Sequence, residues 1–120
     1  MRGWPAVQHL SFPVRDVRRA AAFYRDFLGF RELHAGDGIA ELEIGETKLV
    51  LLRSAAELAA PKDLHFGFRE ASRSAVDEWG RKAREGGVKV ESGPGEAEWG
   101  GYVLHMRDPD GYLIEIWTDH

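Results

Sequence analysis

Two histidines and a glutamate, His9, His65 and Glu115, sit in three short β-like runs far apart in the chain: AVQHLSFPV, DLHFGFRE and GYLIEIWT. Side chains on a strand alternate between the two faces of its sheet, so the face of each residue is read by counting. Leu10 and Phe12 share one face, against Val7, His9 and Ser11. Leu64, Phe66 and Phe68 oppose His65, Gly67 and Arg69, and Ile114 and Ile116 oppose Leu113, Glu115 and Trp117. If the wholly apolar sets pack on helices, both imidazoles and the carboxylate face the other way. Two imidazoles and one carboxylate on a common face make a facial triad, which binds a divalent first-row metal and leaves positions open for substrate. A carboxylate flanked by Ile114 and Ile116 is otherwise an expensive placement, and a bound cation turns that cost into attraction.

A lone strand histidine is ordinarily a core or surface residue. It is the joint occurrence, with matching parity, that points to metal chemistry. His105, in YVLHMRD, falls on the same face, since Tyr102, Leu104 and Met106 take the helix side. It is the candidate acid/base group, or a hydrogen-bonding partner for a bound oxyanion. Trp99, Arg107 and Trp117 are candidates for shaping a substrate pocket. His34 and His120 have no such pattern and are expected at the surface.

The elements that must position these residues occur twice. AVQHLSFPV reads as a strand, followed by a helix over VRDVRRAAAFYRDFLGF. Asp16 is the expected N-cap, Val17, Ala20, Tyr24, Phe27 and Leu28 the apolar stripe, and Gly29 the stop. FRELHA, GIAELEIG and TKLVLLRS are three further strands. The order then restarts: DLHFGFRE as a strand, and SRSAVDEWGRKAREGG as a helix with Ser74 as expected cap and Gly86 as stop. VKVESG, GYVLHMRD and GYLIEIWT follow as strands, joined by PGEAEWGG and DPDG as turns. The repeat places His9 on His65 and Phe23 on Trp79. One domain is expected over residues 1–120, with a first module at about 5–53, a linker at about 54–61 and a second module at about 62–118.

Composition narrows the function classes. The chain has 120 residues, 43% of them hydrophobic and 30% charged, which suits one packed domain rather than a disordered segment. The formal net charge is −4 with the basic residues scattered, so a nucleic-acid partner is not expected. The absence of cysteine excludes disulfides, thiolate metal sites and cysteine nucleophiles. No apolar run reaches membrane-spanning length and MRGWPAV does not read as a secretory signal, so a cytoplasmic protein without a membrane partner is expected.

The segments QHLSFPVRDVRRAAAFYRDFLGF and MRDPDGYLIEIW, together with the duplication, resemble the vicinal oxygen chelate superfamily: glyoxalase I, fosfomycin-resistance proteins, extradiol dioxygenases, methylmalonyl-CoA epimerase and bleomycin-binding proteins. The resemblance implies an α+β fold of two tandem βαβββ modules forming a cup-shaped mixed sheet with helices on the outer face. It carries the metal ligands over to His9, His65 and Glu115. Members with four protein ligands hold Glu or Gln in the fourth strand, where TKLVLLRS offers Val50 or, by a one-residue slip, Leu51, neither of which coordinates. That departure disfavours glyoxalase activity. The acidic GPGEAEWGG loop departs from the fosfomycin branch, and histidine at 105 stands where both three-ligand branches often carry tyrosine.

The resemblance therefore implies a divalent-metal-dependent enzyme of lyase, dioxygenase or transferase type, acting on a small substrate that chelates through vicinal oxygens. Fe(II), Mn(II), Ni(II) and Zn(II) all suit the ligands. The alternative is a metal-free binding or sequestering protein of the bleomycin-resistance type, its cup lined by Trp4, Trp99, Tyr102 and Trp117. Both imply a homodimer with shared sites, and in the enzyme His9 of one chain would meet His65 and Glu115 of the other.

Overall fold

The computed structural model describes residues 7–55 and 64–120; Trp4, Asp63 and most of the linker expected at 54–61 lie outside the described residues. The chain divides into two compact units, residues 1–59 and 60–120, each with the order strand, helix, three strands. Among the described residues no helix is long and apolar enough to cross a membrane.

In the first unit, β1 (His9–Val14) runs parallel to β4 (Thr47–Arg53), while β3 (Ile39–Ile44) and β2 (Arg31–Ala35) complete the sheet antiparallel, in the order β1-β4-β3-β2. Pro13 is accommodated because β1 is a marginal strand, where a missing N–H costs no ladder bond. The helix α1 (Val17–Ala22) starts as expected: the extended Asp16 accepts from the Arg19 backbone N–H at 3.1 Å. It does not continue as a regular α-helix. Residues Phe23–Phe27 form a wider π-helical turn, and Gly29, with φ +82°, ends it. The wider turn keeps Tyr24 fully buried, edge-on to Phe23 and Phe30 at ring distances of 5.2 and 5.5 Å, and stacks Phe27 on Phe23. Leu42, Leu49 and Leu51 supply the sheet side of this core.

In the second unit, β5 (His65–Arg69) is parallel to β8 (Leu113–Thr118), with β7 (Tyr102–Arg107) and β6 (Lys89–Glu96) following antiparallel, in the order β5-β8-β7-β6. The helix α2 (Arg73–Glu85) is capped by Ser72, not by Ser74. Ser72 has the extended backbone that a cap requires (φ −152°, ψ 159°) and its Oγ accepts from the Ala75 N–H; Ser74 is already inside the first turn, its hydroxyl 3.0 Å from that of Ser72. The helix closes at Gly86, with the Val88 N–H returning to the Ala83 carbonyl at 2.8 Å. Gly80 lets α2 approach β6: a Cβ there would stand 2.8 Å from the Pro94 ring.

Strand β6 runs further than VKVESG. It continues through Pro94 and Gly95 to Glu96, which pairs with Tyr102, leaving only 97–101 as the turn. Two register irregularities, between Val90 and Ser92 and between Ser92 and Gly95, let the ladder resume beyond the proline. Leu104, Met106, Ile114 and Ile116 are fully or almost fully buried on the helix side, with Val76 and Ala83 of α2.

Candidate functional site

Alternation along β7 and β8 leaves His105, Glu115 and Trp117 half-buried on the face opposite the buried isoleucines, as the parity requires. The hairpin between these strands fixes their register. The Asp108 carboxylate Oδ1 accepts from the backbone N–H groups of Asp110 and Tyr112, both at 2.9 Å, and Gly111 takes φ +95°, which only glycine adopts without strain. DPDG is thus a tightly wound turn that sets His105 directly opposite Glu115. Replacing Asp108 with alanine strips two backbone donors of their acceptor in a buried turn and is expected to cost about 2 kcal/mol, read as a lower midpoint in urea unfolding.

Three ionisable side chains meet at one atom. Glu115 Oε2 lies 3.1 Å from His105 Nε2 and 3.2 Å from His65 Nε2. The His65 and His105 rings stand nearly perpendicular, 6.1 Å between centroids. His105 Nδ1 is in turn 3.1 Å from Ser92 Oγ on β6. Side-chain exposure falls from 46% at His65 to 24% at His105 and 19% at Glu115, so the carboxylate is the least solvated of the three. Gly67, opposite Glu115 in the parallel ladder, makes the approach of β5 and β8 possible: a Cβ there would stand 2.6 Å from the Glu115 carbonyl oxygen and 3.0 Å from its Cβ.

Donor atoms held at 2.0–2.2 Å from one ion lie about 3 Å from each other, so the His65–Glu115 spacing suits two ligands of a common metal. An imidazole and a carboxylate are also the donor types such an ion takes. Among the described residues, however, no three His, Asp or Glu side chains form a metal cage; His65, Glu115 and His105 meet as a hydrogen-bonded set. His9 lies in the first unit, exposed on the face of β1 that Leu10 and Phe12 turn away from, and pairs in register with Lys48.

The two sheets answer the question left at the fourth strand. Ser11 pairs with Val50 in the first unit as Gly67 pairs with Glu115 in the second, so Val50 is the repeat counterpart of Glu115. Leu51 is fully buried on the helix side. The counterpart of His105 is Glu41, opposite Val50 on β3, whose Oε2 lies 3.7 Å from Lys48 Nζ.

Trp99 and Trp117 come together edge to face at 6.0 Å, with Trp99 58% exposed and lying across Gly101. The Arg69 guanidinium stands 5.9 Å from the Trp117 ring and donates to Asp119, which holds that carboxyl below its usual range. Arg107 donates to the Gly111 carbonyl at 3.0 Å and to Glu91 at 3.3 Å, bracing the 108–111 turn and lowering the Glu91 pKa. Tyr102 does not belong with Trp117. Its hydroxyl donates to Asp77 of α2 at 2.6 Å, which pushes the phenol pKa up and fixes the ring on the helix side. His34 and His120 are exposed.

Ser92 escaped the sequence reading, because counting along β6 fails at its two irregularities. Arg69 and Gly67 were placed on the right face, yet residue type alone gave no reason to single them out.

The family model described as Glyoxalase/Bleomycin resistance protein/Dioxygenase superfamily matches residues 6–116. Among similar proteins, the uncharacterized protein PA2024 of Pseudomonas aeruginosa is 31% identical, over 93% of this chain and 87% of its own length. The metallothiol transferase FosB of Shouchella clausii is 28% identical, over 93% and 79%. The crystal structure of lactoylglutathione lyase from Agrobacterium tumefaciens superposes with a TM-score of 0.80 at 25% identity, covering 98% of this chain and 96% of that one.

Proposed function

The chain belongs to the glyoxalase/bleomycin resistance protein/dioxygenase superfamily, and from that premise we propose that it is a divalent-metal-dependent enzyme acting on a small substrate that chelates through vicinal oxygens. The observation that carries the reading is the pair His65 Nε2 and Glu115 Oε2, 3.2 Å apart on a half-buried sheet face. In this proposal His9 supplies the third ligand, and the chain is a homodimer with sites shared between subunits. Each described sheet is open, with β1 and β2 or β5 and β6 at its margins, and natural proteins cover such margins. With Val50 in place of a fourth donor, more positions are left to a chelating substrate. The names of the relatives, a lyase and a thiol transferase, support enzyme chemistry without choosing between them.

The bound ion, Fe(II), Mn(II), Ni(II) or Zn(II), would supply Lewis acidity toward the negative charge that develops on the substrate oxygens. The protein's own part is to hold and shape. Glu115, itself only 19% exposed, contributes the negative charge, and Trp117, edge to face with Trp99, offers apolar surface two residues along β8. That exposed aromatic pair is also what favours the second reading, a metal-free binding protein.

Metal content decides between them. Protein titrated with Mn(II), Ni(II) or Zn(II) is expected to take up one ion per subunit and to gain about 2.7 kcal/mol of stability at a hundredfold excess over the dissociation constant, seen as a raised melting temperature. No stoichiometric uptake and no shift with any of the three would leave the binder.

A further inference from the structure

Segments distant in sequence bring three arginines to one end of the first unit's sheet. Strands β1 and β4 finish side by side, with Val14 in register with Arg53. Arg15 and Arg18 follow on the link into α1. The turn between β2 and β3 closes against β4, where the Arg53 backbone N–H donates to the Gly38 carbonyl at 3.0 Å. Between these segments lies a cavity of about 230 Å³, lined by Arg15, Asp16, Val17, Arg18, Asp37 and Arg53. Three guanidinium groups against two carboxylates leave the lining net positive, in a chain whose formal net charge is −4.

Both carboxylates are occupied. Asp16 Oδ1 accepts from the Arg19 backbone N–H as the cap of α1. Asp37 Oδ1 accepts from Arg18 Nε at 2.8 Å, which holds the Asp37 carboxyl below its usual range. That pair fixes the Arg18 guanidinium by one nitrogen and leaves both Nη groups without a partner among the described residues. The Arg53 guanidinium makes no hydrogen bond or ion pair among the described residues, whereas Arg25, Arg31, Arg69, Arg81 and Arg107 each meet a carboxylate. The repeat shows that the fold does not require this cluster. Asp16 and Ser72 cap the two helices alike, yet Arg15, Arg18 and Arg53 correspond to Ala71, Ser74 and Thr118. Thr118 is fully buried. The second unit thus closes this end with a neutral side chain, where the first opens it to three cations.

We infer that this cavity is a binding site for a phosphate-type oxyanion, taken by the free donors of Arg18 and Arg53 with Arg15 adding charge. A guanidinium presents a planar fork of donors that matches phosphate oxygens in pairs. A phosphoryl group has three terminal oxygens and close to two negative charges, so it can engage more than one fork at once. A carboxylate, with two oxygens and one charge, satisfies a single fork. The volume falls below the 300–1,000 Å³ or so of pockets for drug-sized ligands, so the occupant is small: inorganic phosphate, or the phosphoryl end of a small metabolite. The end of α1 takes no part, since the holding groups are side chains. The site lies wholly within the first unit and shares no residue with the His65–Glu115 pair, so it stands or falls apart from the proposed metal function.

The test titrates the full chain by calorimetry with inorganic phosphate and, separately, with glycerol 3-phosphate. Chloride holds the ionic strength constant, and a chelator removes any metal that would itself take up the anion. Saturable binding of one anion per chain is expected. Arg53→Gln should weaken it about 10- to 100-fold, the loss of a charge-assisted hydrogen bond or two. Its melting temperature without phosphate should match the parent's, because that exposed side chain holds nothing else. Arg53→Lys, which keeps the charge without the fork, should fall between the two. Arg31→Gln removes an exposed arginine on β2 of the same unit, outside the cavity, and should leave the affinity unchanged. Equal binding of both probes assigns the site to a phosphoryl end, and binding of phosphate alone assigns it to the free ion. No saturable binding of either probe overturns the inference. So does acetate binding as tightly as phosphate, or Arg31→Gln weakening binding as much as Arg53→Gln, since either would mean general charge attraction rather than a site.

Discussion

Glu115→Gln is expected to lower affinity for Mn(II) or Zn(II) by at least about 100-fold while leaving the protein folded. The substitution is nearly isosteric and keeps one carbonyl-type acceptor, but it removes the only negative charge among the three clustered side chains. A divalent ion bound by neutral nitrogens and an amide loses its main electrostatic attraction, and first-row ions bind amide oxygen poorly beside carboxylate. The fold has less at stake. Glu115 lies 19% exposed, and one amide oxygen can still accept from one of the two imidazoles. Titration calorimetry with circular dichroism checks both halves. Undiminished binding in a folded variant would remove Glu115 from the ligand set and with it the reason for assigning a metal to this face.

How much of this was legible beforehand depends on which physical rule governs each element. The alternation on β7 and β8 was read correctly because both strands are regular and one face is dominated by buried apolar side chains, so a register slip would have turned Ile114 and Ile116 to solvent. The Asp16 cap was legible because the chain offers one candidate before the apolar stripe. At the second helix it offered two serines, and only the backbone conformation at Ser72 separates them. The π-helical turn at Phe23–Phe27 was not legible, since the same apolar spacing suits an α-helix until the burial of Tyr24 and the stacking of Phe23 on Phe27 favour the wider turn. Tyr102 illustrates a conflict that parity settles against composition: as an aromatic it suggested a pocket wall, while its position in the strand put it against Asp77 of α2. β6 is longer than its sequence suggests, and its two irregularities defeat the counting that would set Ser92 beside His105. A proline and two glycines within four residues read as a turn, whereas the ladder resumes past them to Glu96.

Gly67→Val tests the last link between packing and site, and it is expected to damage both. In the parallel ladder Gly67 faces Glu115, and the first atom of any side chain added there falls 2.6 Å from a backbone oxygen and 3.0 Å from the Glu115 Cβ. No rotamer relieves a clash made by Cβ itself, so β5 must move away from β8. The cost expected for such overpacking is about 3 kcal/mol, corresponding to a melting temperature lower by on the order of 10 °C. The displacement also carries His65, two residues earlier on the same strand, away from Glu115 Oε2, and metal affinity should fall with stability. Gly67→Ala carries the same clash with less bulk and should show the same two losses in smaller measure. A stable Gly67→Val protein with intact metal binding would mean that β5 does not lie against β8 as closely as the His65–Glu115 spacing requires. The ligand pair would then need another explanation than the glycine between them.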